Sequence, residues 1–258
     1  MSKNNAAWFA TPLVLIALIA IWHAYVTIFS VSPFILPSPL EVGKAIVKLL
    51  SDPRTWQHTL ITLYEIVAGF IIAVIIGIVF GGLLGKIRWL EQTLNPLIVG
   101  LQVMPKVALI PLFIVWFGFG VTSKIVLAAV ISFFPIMTNT ILGIKSVETG
   151  HRDVMLALNA SRWQTFRDVE LPSALPFILT GMEVGIVLAT IGAIVGEYLG
   201  GSQGLGYMAV STLNAFDVQS MFGVIFILTA LGLILYFLVV MMRRYLTPGT
   251  PLPRAIEA

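Results

Sequence analysis

The sequence predicts an all-α, polytopic membrane protein with about six transmembrane helices. Of its 258 residues 58% are hydrophobic and only 10% are charged, with a mean hydropathy of +0.99, more apolar than a soluble core of this size requires. Apolar runs recur at 8–30, 60–85, 97–118, 124–144, 175–197 and 220–242, each near the ~20 residues that cross a bilayer core. The chain reads as one domain over 1–258.

The first run follows Lys3. From Trp8 to Phe29 it exceeds the apolar core of a secretory signal and no small-x-small cleavage site follows, so it reads as an uncleaved span. Pro37-Ser-Pro39 then breaks the chain. Leu40, Ala45, Ile46, Leu49 and Leu50 recur at helical spacing opposite Glu41, Lys44 and Lys48, the pattern of a short interfacial helix on the outer membrane surface or of an ordinary amphipathic connector. The second span carries small residues at every fourth position, Gly69, Ala73, Gly77, Gly81 and Gly85. Such a ladder lets helix backbones approach closely, either within one subunit or at a dimer or sliding surface. The third run is interrupted by Pro105, Lys106 and Pro111, which predicts a kinked or broken helix lined by protein rather than lipid. The fifth repeats small-xxx-small at Gly181/Gly185, Gly192/Gly196 and Gly196/Gly200, and Gly200-Gly201-Ser-Gln-Gly204-Leu-Gly206 follows it as a plain turn or a close backbone approach at an outer gate.

Orientation follows from the basic residues. With the N-terminus inside, the inner segments hold ten Lys and Arg, namely Lys3, Lys86, Arg88, Lys145, Arg152, Arg162, Arg167, Arg243, Arg244 and Arg254. The outer segments hold four, Lys44, Lys48, Arg54 and Lys124, and Lys106 stays in the membrane. Both termini are therefore expected in the cytoplasm.

Several function classes drop out. There is no cysteine and there are three scattered histidines, so thiolate chemistry and a metal cluster are not expected. The net charge of +3 comes without a basic run and does not point to nucleic acid. Gly85-Lys86 is not a phosphate-binding loop, because Phe80 stands where glycine is needed and Ile87 where Ser or Thr is needed. No catalytic constellation rises above chance, so an enzyme is not expected. Glu65, Lys106, Glu183 and Glu197 are ionisable groups inside spans. Such groups line a water-filled path or form buried pairs, here Lys106 with Glu65 or Glu183, while Glu197 has the further option of the membrane interface.

One polar stretch stands apart from the apolar chain: Asp153-Val-Met-Leu-Ala-Leu-Asn159-Ala-Ser-Arg-Trp-Gln-Thr-Phe-Arg-Asp-Val169-Glu-Leu171-Pro172. It closely resembles the cytoplasmic loop of permease subunits of bacterial ATP-binding cassette (ABC) importers, whose pattern is Glu-Ala-Ala, three residues, Gly, nine residues, then Ile-x-Leu-Pro. Asp153, Val154 and Met155 stand for Glu-Ala-Ala, Asn159 for Gly, and Val169 for Ile, while Leu171-Pro172 match outright. Asn159 is the residue that best tolerates a left-handed backbone after glycine, so the same turn is available. Pro37-Ser-Pro39, Met104 to Pro111, Trp116 to Gly120, Gly196-Glu-Tyr-Leu-Gly and Gly204-Leu-Gly206 extend the resemblance to the nitrate/sulfonate/taurine-type branch.

The resemblance implies a type I ABC importer transmembrane domain, with five core helices and a peripheral N-terminal span, in a bacterial inner membrane. It implies a coupling loop at about 145–173 in which Asp153, Ala157, Asn159, Ala160, Ser161, Arg162, Trp163, Phe166, Leu171 and Pro172 meet a separate ATPase. A short helix over Ala157 to Thr165 is expected to present Arg162, Trp163 and Phe166 as an aromatic knob with a charged rim. Membrane-interface anchoring is the alternative role for Trp163 and Phe166. A second permease copy, an external solute-binding protein and membrane lipid complete the implied partners, and ATP with Mg belongs to the ATPase, with no cofactor on this chain. The solutes implied are a sulfonate, nitrate or taurine-like anion, or a small heterocycle such as a thiamine-precursor pyrimidine or riboflavin. The competing expectation is an ion- or proton-coupled secondary transporter using Glu65, Lys106, Glu183 and Glu197. It predicts an inverted repeat, which the two halves of the sequence do not display.

Overall fold

The computed structural model describes residues 5–247. Lys3 and Arg254, and with them the expected placement of the two termini, lie outside the described residues, as does the side chain of Arg152. Within them the chain is built of helices: α1 Asn5–Ile28, α2 Pro39–Ser51, α3 Pro53–Lys86, α4 Arg88–Val103, α5 Ile110–Phe117, α6 Val121–Lys145, α7 Thr149–Ala157, α8 Arg162–Thr165, α9 Leu171–Gly200, α10 Leu205–Asn214 and α11 Val218–Leu246.

The centre is α6, held between α3 and α9. The glycine ladder of α3 is what permits this. A Cβ on Gly69 would stand 2.6 Å from Ala128 Cβ, one on Gly77 2.9 Å from Ile136 Cγ2, one on Gly81 2.6 Å from Thr140 Cβ, and one on Gly85 2.9 Å from Ile144 Cβ. From the other side, Gly181 packs on Asn139 and Gly192 on Ala128. The small residues are therefore spent on packing within the subunit. In lipid, where apolar burial gives little driving force between helices, such close backbone contact and its dispersion energy hold helices together. Ile66, Phe70, Ala128, Ile136, Ile186, Ala189, Leu235 and Val239 fill the core where α11 joins this layer.

Three helices, α3, α6 and α11, are long and apolar enough to cross a membrane, as is the continuous helix Arg162–Gly200, and α4 with the segment Lys106–Phe117 adds a fifth span if the bent pair is counted as one. The predicted break is there: Arg88–Val103 and Lys106–Phe117 meet at 81°, and this span begins at Arg88 rather than 97. Pro105 cannot donate an amide hydrogen, and a 3-10 turn at Lys106–Leu109 bridges the two halves. Among the described residues the count is therefore four or five rather than the six expected, because the apolar part of the first run, Pro12–Ile28, is a shorter helix than the other spans. This helix lies at the periphery, with Trp22 stacked on Phe226 at 6.5 Å and Leu13, Ile16 and Ile19 exposed.

Helix α2 is capped as its sequence dictates. Ser38 Oγ accepts the Glu41 amide, and the Glu41 carboxylate accepts the Ser38 amide at 2.8 Å. Its packed face includes the predicted Ala45, Ile46 and Leu49, with Val42 added, while Leu40 and Leu50 at the edges of the predicted face are exposed. Gly223 of α11 admits Leu49 and Ile46, so tertiary packing on α11 sets the rotation of α2.

Candidate functional site

The polar stretch folds as two helices joined by a tight turn. Helix α7 ends in a Schellman arrangement, in which the Ala160 amide donates to the Met155 carbonyl at 2.9 Å and the Asn159 amide to the Leu156 carbonyl at 3.0 Å. This geometry needs a left-handed residue, and Asn159 supplies it with φ 51°. The expected single helix over Ala157 to Thr165 is therefore broken at its centre. The chain restarts at Ser161, whose side chain accepts the Gln164 amide while the Gln164 side chain accepts the Ser161 amide at 2.7 Å.

Helix α8 then runs through a π-helical turn, Phe166–Glu170, into α9. Pro172 explains the turn: it has no N–H for the carbonyl one turn back and its ring crowds that carbonyl, so the backbone widens and the Leu171 amide reaches Phe166 instead. The product is one 39-residue helical rod, Arg162–Gly200, whose first turns carry Arg162, Trp163 and Phe166 and whose later part is packed on α6.

The aromatic pair divides its work. Trp163 is 67% exposed and Arg162 is also exposed, whereas Phe166 is half-buried against Ile144, Ala174 and Ile178. Lys86 Nζ lies 4.1 Å from the Phe166 ring centre and 2.7 Å from the Glu170 carboxylate. So Phe166 anchors the segment to the end of α3, and Trp163, 5.7 Å away from it, projects outward. Asp153, Ala157 and Ser161 are exposed, and Ala160 is half-buried. An open hollow of about 370 Å³ lies between Lys86 and Gly85 on one side and Leu156, Ala160, Arg162 and Thr165 on the other. Lys145 is paired with Glu91 at the same end of the bundle, and Arg243 with Glu183 at 2.7 Å near the end of α11.

The four membrane-embedded ionisable groups separate into three places. Glu65 and Glu197 are both 1% exposed, and Glu65 Oε2 is buried without a hydrogen-bond partner among the described residues. Glu197 Oε1 accepts from Thr62 Oγ1 at 2.6 Å and Oε2 from the Gly206 amide at 2.5 Å. Thr62 in turn accepts the Leu205 amide at 2.8 Å, and His58 Nδ1 accepts the Gly204 amide at 2.9 Å. The glycine segment is thus a close approach rather than a plain turn. Gly204 has φ 101°, and a Cβ there or on Gly206 would enter the Glu197 carboxyl group.

Glu183 is engaged by Arg243, and Lys106 donates to the Gln102 carbonyl at 3.0 Å and sits 4.8 Å from the Phe134 ring centre. Among the described residues Lys106 forms no ion pair with Glu65 or Glu183; it is hydrogen-bonded to the Gln102 carbonyl, and Glu183 is paired with Arg243. The sequence reading missed Lys124. Counted as an outer-loop charge, it is 3% exposed and donates to the carbonyls of Phe119, Gly120 and Gly200. It also lies near Glu65 and Glu197.

A bundle of apolar helices long enough to cross a membrane, with buried polar anchors at one end and an exposed polar segment at the other, defines an integral membrane protein. Residues 73–250 match the family model described as "Binding-protein-dependent transport system inner membrane component", and the chain belongs to that family, as the permease component of an ABC importer. Among its relatives, the riboflavin transport system permease protein RibX of Chloroflexus aurantiacus is 41% identical over 91% of this chain and 88% of its own length. The formylaminopyrimidine transport permease protein ThiX of Halalkalibacterium halodurans is 34% identical over 86% and 88%. An inward-facing structure of the MetNI methionine ABC transporter superposes with a TM-score of 0.66 at 22% identity, covering 76% of this chain and 99% of that one, which establishes the fold. Family membership implies an ATPase partner and a solute-binding protein.

Proposed function

We propose that two copies of this chain enclose the path of a small solute, and that residues 149–170 dock each copy to an ATPase subunit that supplies ATP chemistry and Mg. The observation that carries this reading is the rod Arg162–Gly200 with Trp163 exposed at its foot. An exposed tryptophan with an arginine beside it is the composition of an interface anchor. Its base is fixed by Phe166, Lys86 and Glu170, so movement of the ATPase reaches α9 as a displacement of the whole rod. Nucleotide then supplies the free-energy difference between inward- and outward-open states. Both termini and the docking segment face the cytoplasm in this reading, and the Gly200–Gly206 end faces the solute-binding protein. RibX and ThiX are named for small heterocycles, and other relatives for sulfonates, taurine and nitrate, so the solute belongs to one of these two groups, and the heterocycle is the reading taken forward.

The secondary-transporter reading fares worse on one observation: Glu197 and Glu183 are engaged with neighbours within the subunit, and among the described residues Lys106 is hydrogen-bonded to a backbone carbonyl rather than to either of them. Gentle purification of the tagged chain, followed by mass spectrometry and an ATPase assay, tests the proposal. It predicts recovery of an ATPase with the parent and its loss with Trp163→Ala; equal recovery with both contradicts the docking role.

A further inference from the structure

A cavity of about 410 Å³ opens between α3, α4 and α6, walled by Ile72, Ile76, Met104, Val130, Phe133 and Phe134, and its one charged lining residue is Lys106. The volume falls in the range of small-molecule sites, about 300–1,000 Å³. Its depth matters. Phe133 and Phe134 stand at the middle of the 25-residue α6, about 18 Å from either end at ~1.5 Å per residue. A cation held there, against an aromatic ring and one carbonyl and with no salt bridge found among the described residues, is costly unless an anion or a strong acceptor visits it. Lipid phosphates do not reach that depth, so an ordinary lipid headgroup is not the natural partner.

Resting on the importer reading above, we infer that this cavity is a solute-recognition subsite for a planar heterocycle bearing carbonyl oxygens. The Lys106 ammonium donates to the carbonyl edge, while Phe133, Phe134 and the aliphatic wall take the flat faces. A small aliphatic sulfonate would leave most of that wall uncovered.

The test uses the permease purified with its ATPase in nanodiscs, with riboflavin binding followed by fluorescence anisotropy and formylaminopyrimidine binding by calorimetry. At least one probe is expected to bind the parent, to bind Lys106→Met about tenfold more weakly or worse, the size of a lost hydrogen bond to a charged group, and to bind Lys106→Arg nearly as the parent does. ATPase co-purification should be unaltered by Lys106→Met, which separates failure of the subsite from failure of docking. Absence of binding by both probes, equal binding by Lys106→Met, or native mass spectrometry placing a phospholipid in the cavity whose occupancy falls in Lys106→Met would overturn the inference.

Discussion

Replacing Thr62 with valine, nearly equal in shape, isolates the polar anchor that ties α3 to the Gly204–Gly206 segment. Thr62 is fully buried. Its hydroxyl both donates to Glu197 at 2.6 Å and accepts the Leu205 amide at 2.8 Å, so Thr62→Val strips a partner from two buried groups at once. Each loss is worth about 1–3 kcal/mol. Because both run through one oxygen they are not additive, and about 3 kcal/mol is the reasoned total. At about 2–4 °C per kcal/mol for a chain of this size, the midpoint should fall by about 6–12 °C. The assay is thermal stability in detergent, read by fluorescence-detected size exclusion, with Thr62→Ser as the control that keeps the hydroxyl and loses only a methyl. If Thr62→Val were as stable as Thr62→Ser, the hydroxyl would not be holding the segment and the reasoning would fail.

Two further outcomes are expected. Arg243→Met leaves Glu183 without its partner in a site where the two side chains are only 20% and 12% exposed, and should cost about 2–4 kcal/mol, somewhat below the ~3–5 of a fully buried pair. Adding Glu183→Gln should recover most of that loss in the same detergent melt. Glu41 has its carboxyl held below the usual 4.5, first by the Ser38 amide and then by the Ser38 hydroxyl. A depressed folded value stabilises above the unfolded value and is lost as pH falls through the folded one, so helix α2 should loosen below pH 4.5. Glu41→Gln should be destabilised by no more than about 1 kcal/mol at neutral pH, because water screens this site, and hydrogen exchange of α2 should lose its acid dependence.

The spans were legible because lipid imposes a simple demand, about twenty apolar residues with every backbone group paired internally. The break at Pro105 and the left-handed turn at Asn159 were legible because each rests on the covalent chemistry of one residue. The rotation of α2 was legible only in part: Ala45, Ile46 and Leu49 pack as their spacing suggests, but the edges of the face, Val42 in and Leu40 and Leu50 out, depend on contacts with other helices such as Gly223 of α11. The split between Trp163 and Phe166 was hidden for a similar reason: adjacent aromatics look alike until Lys86 and Glu170 arrive from other segments. Lys124 looked like an orientation signal because its three carbonyl partners come from a loop and a helix end. The one clue to the anchor was the density of glycine after Glu197, which marks a place where backbone must pass close to something.

The chain has no cysteine, so a single introduced thiol reports its neighbours without ambiguity. Leu158, 71% exposed between α7 and α8, and Leu213, 49% exposed at the opposite end of the bundle, are suitable positions. Cross-linking Leu158→Cys and Leu213→Cys in membranes that contain the partner subunits tests the docking claim directly. The account predicts a permease–ATPase adduct from Leu158→Cys, changed in yield by ATP, and none from Leu213→Cys. An ATPase adduct from Leu213→Cys, or none from Leu158→Cys, would contradict it.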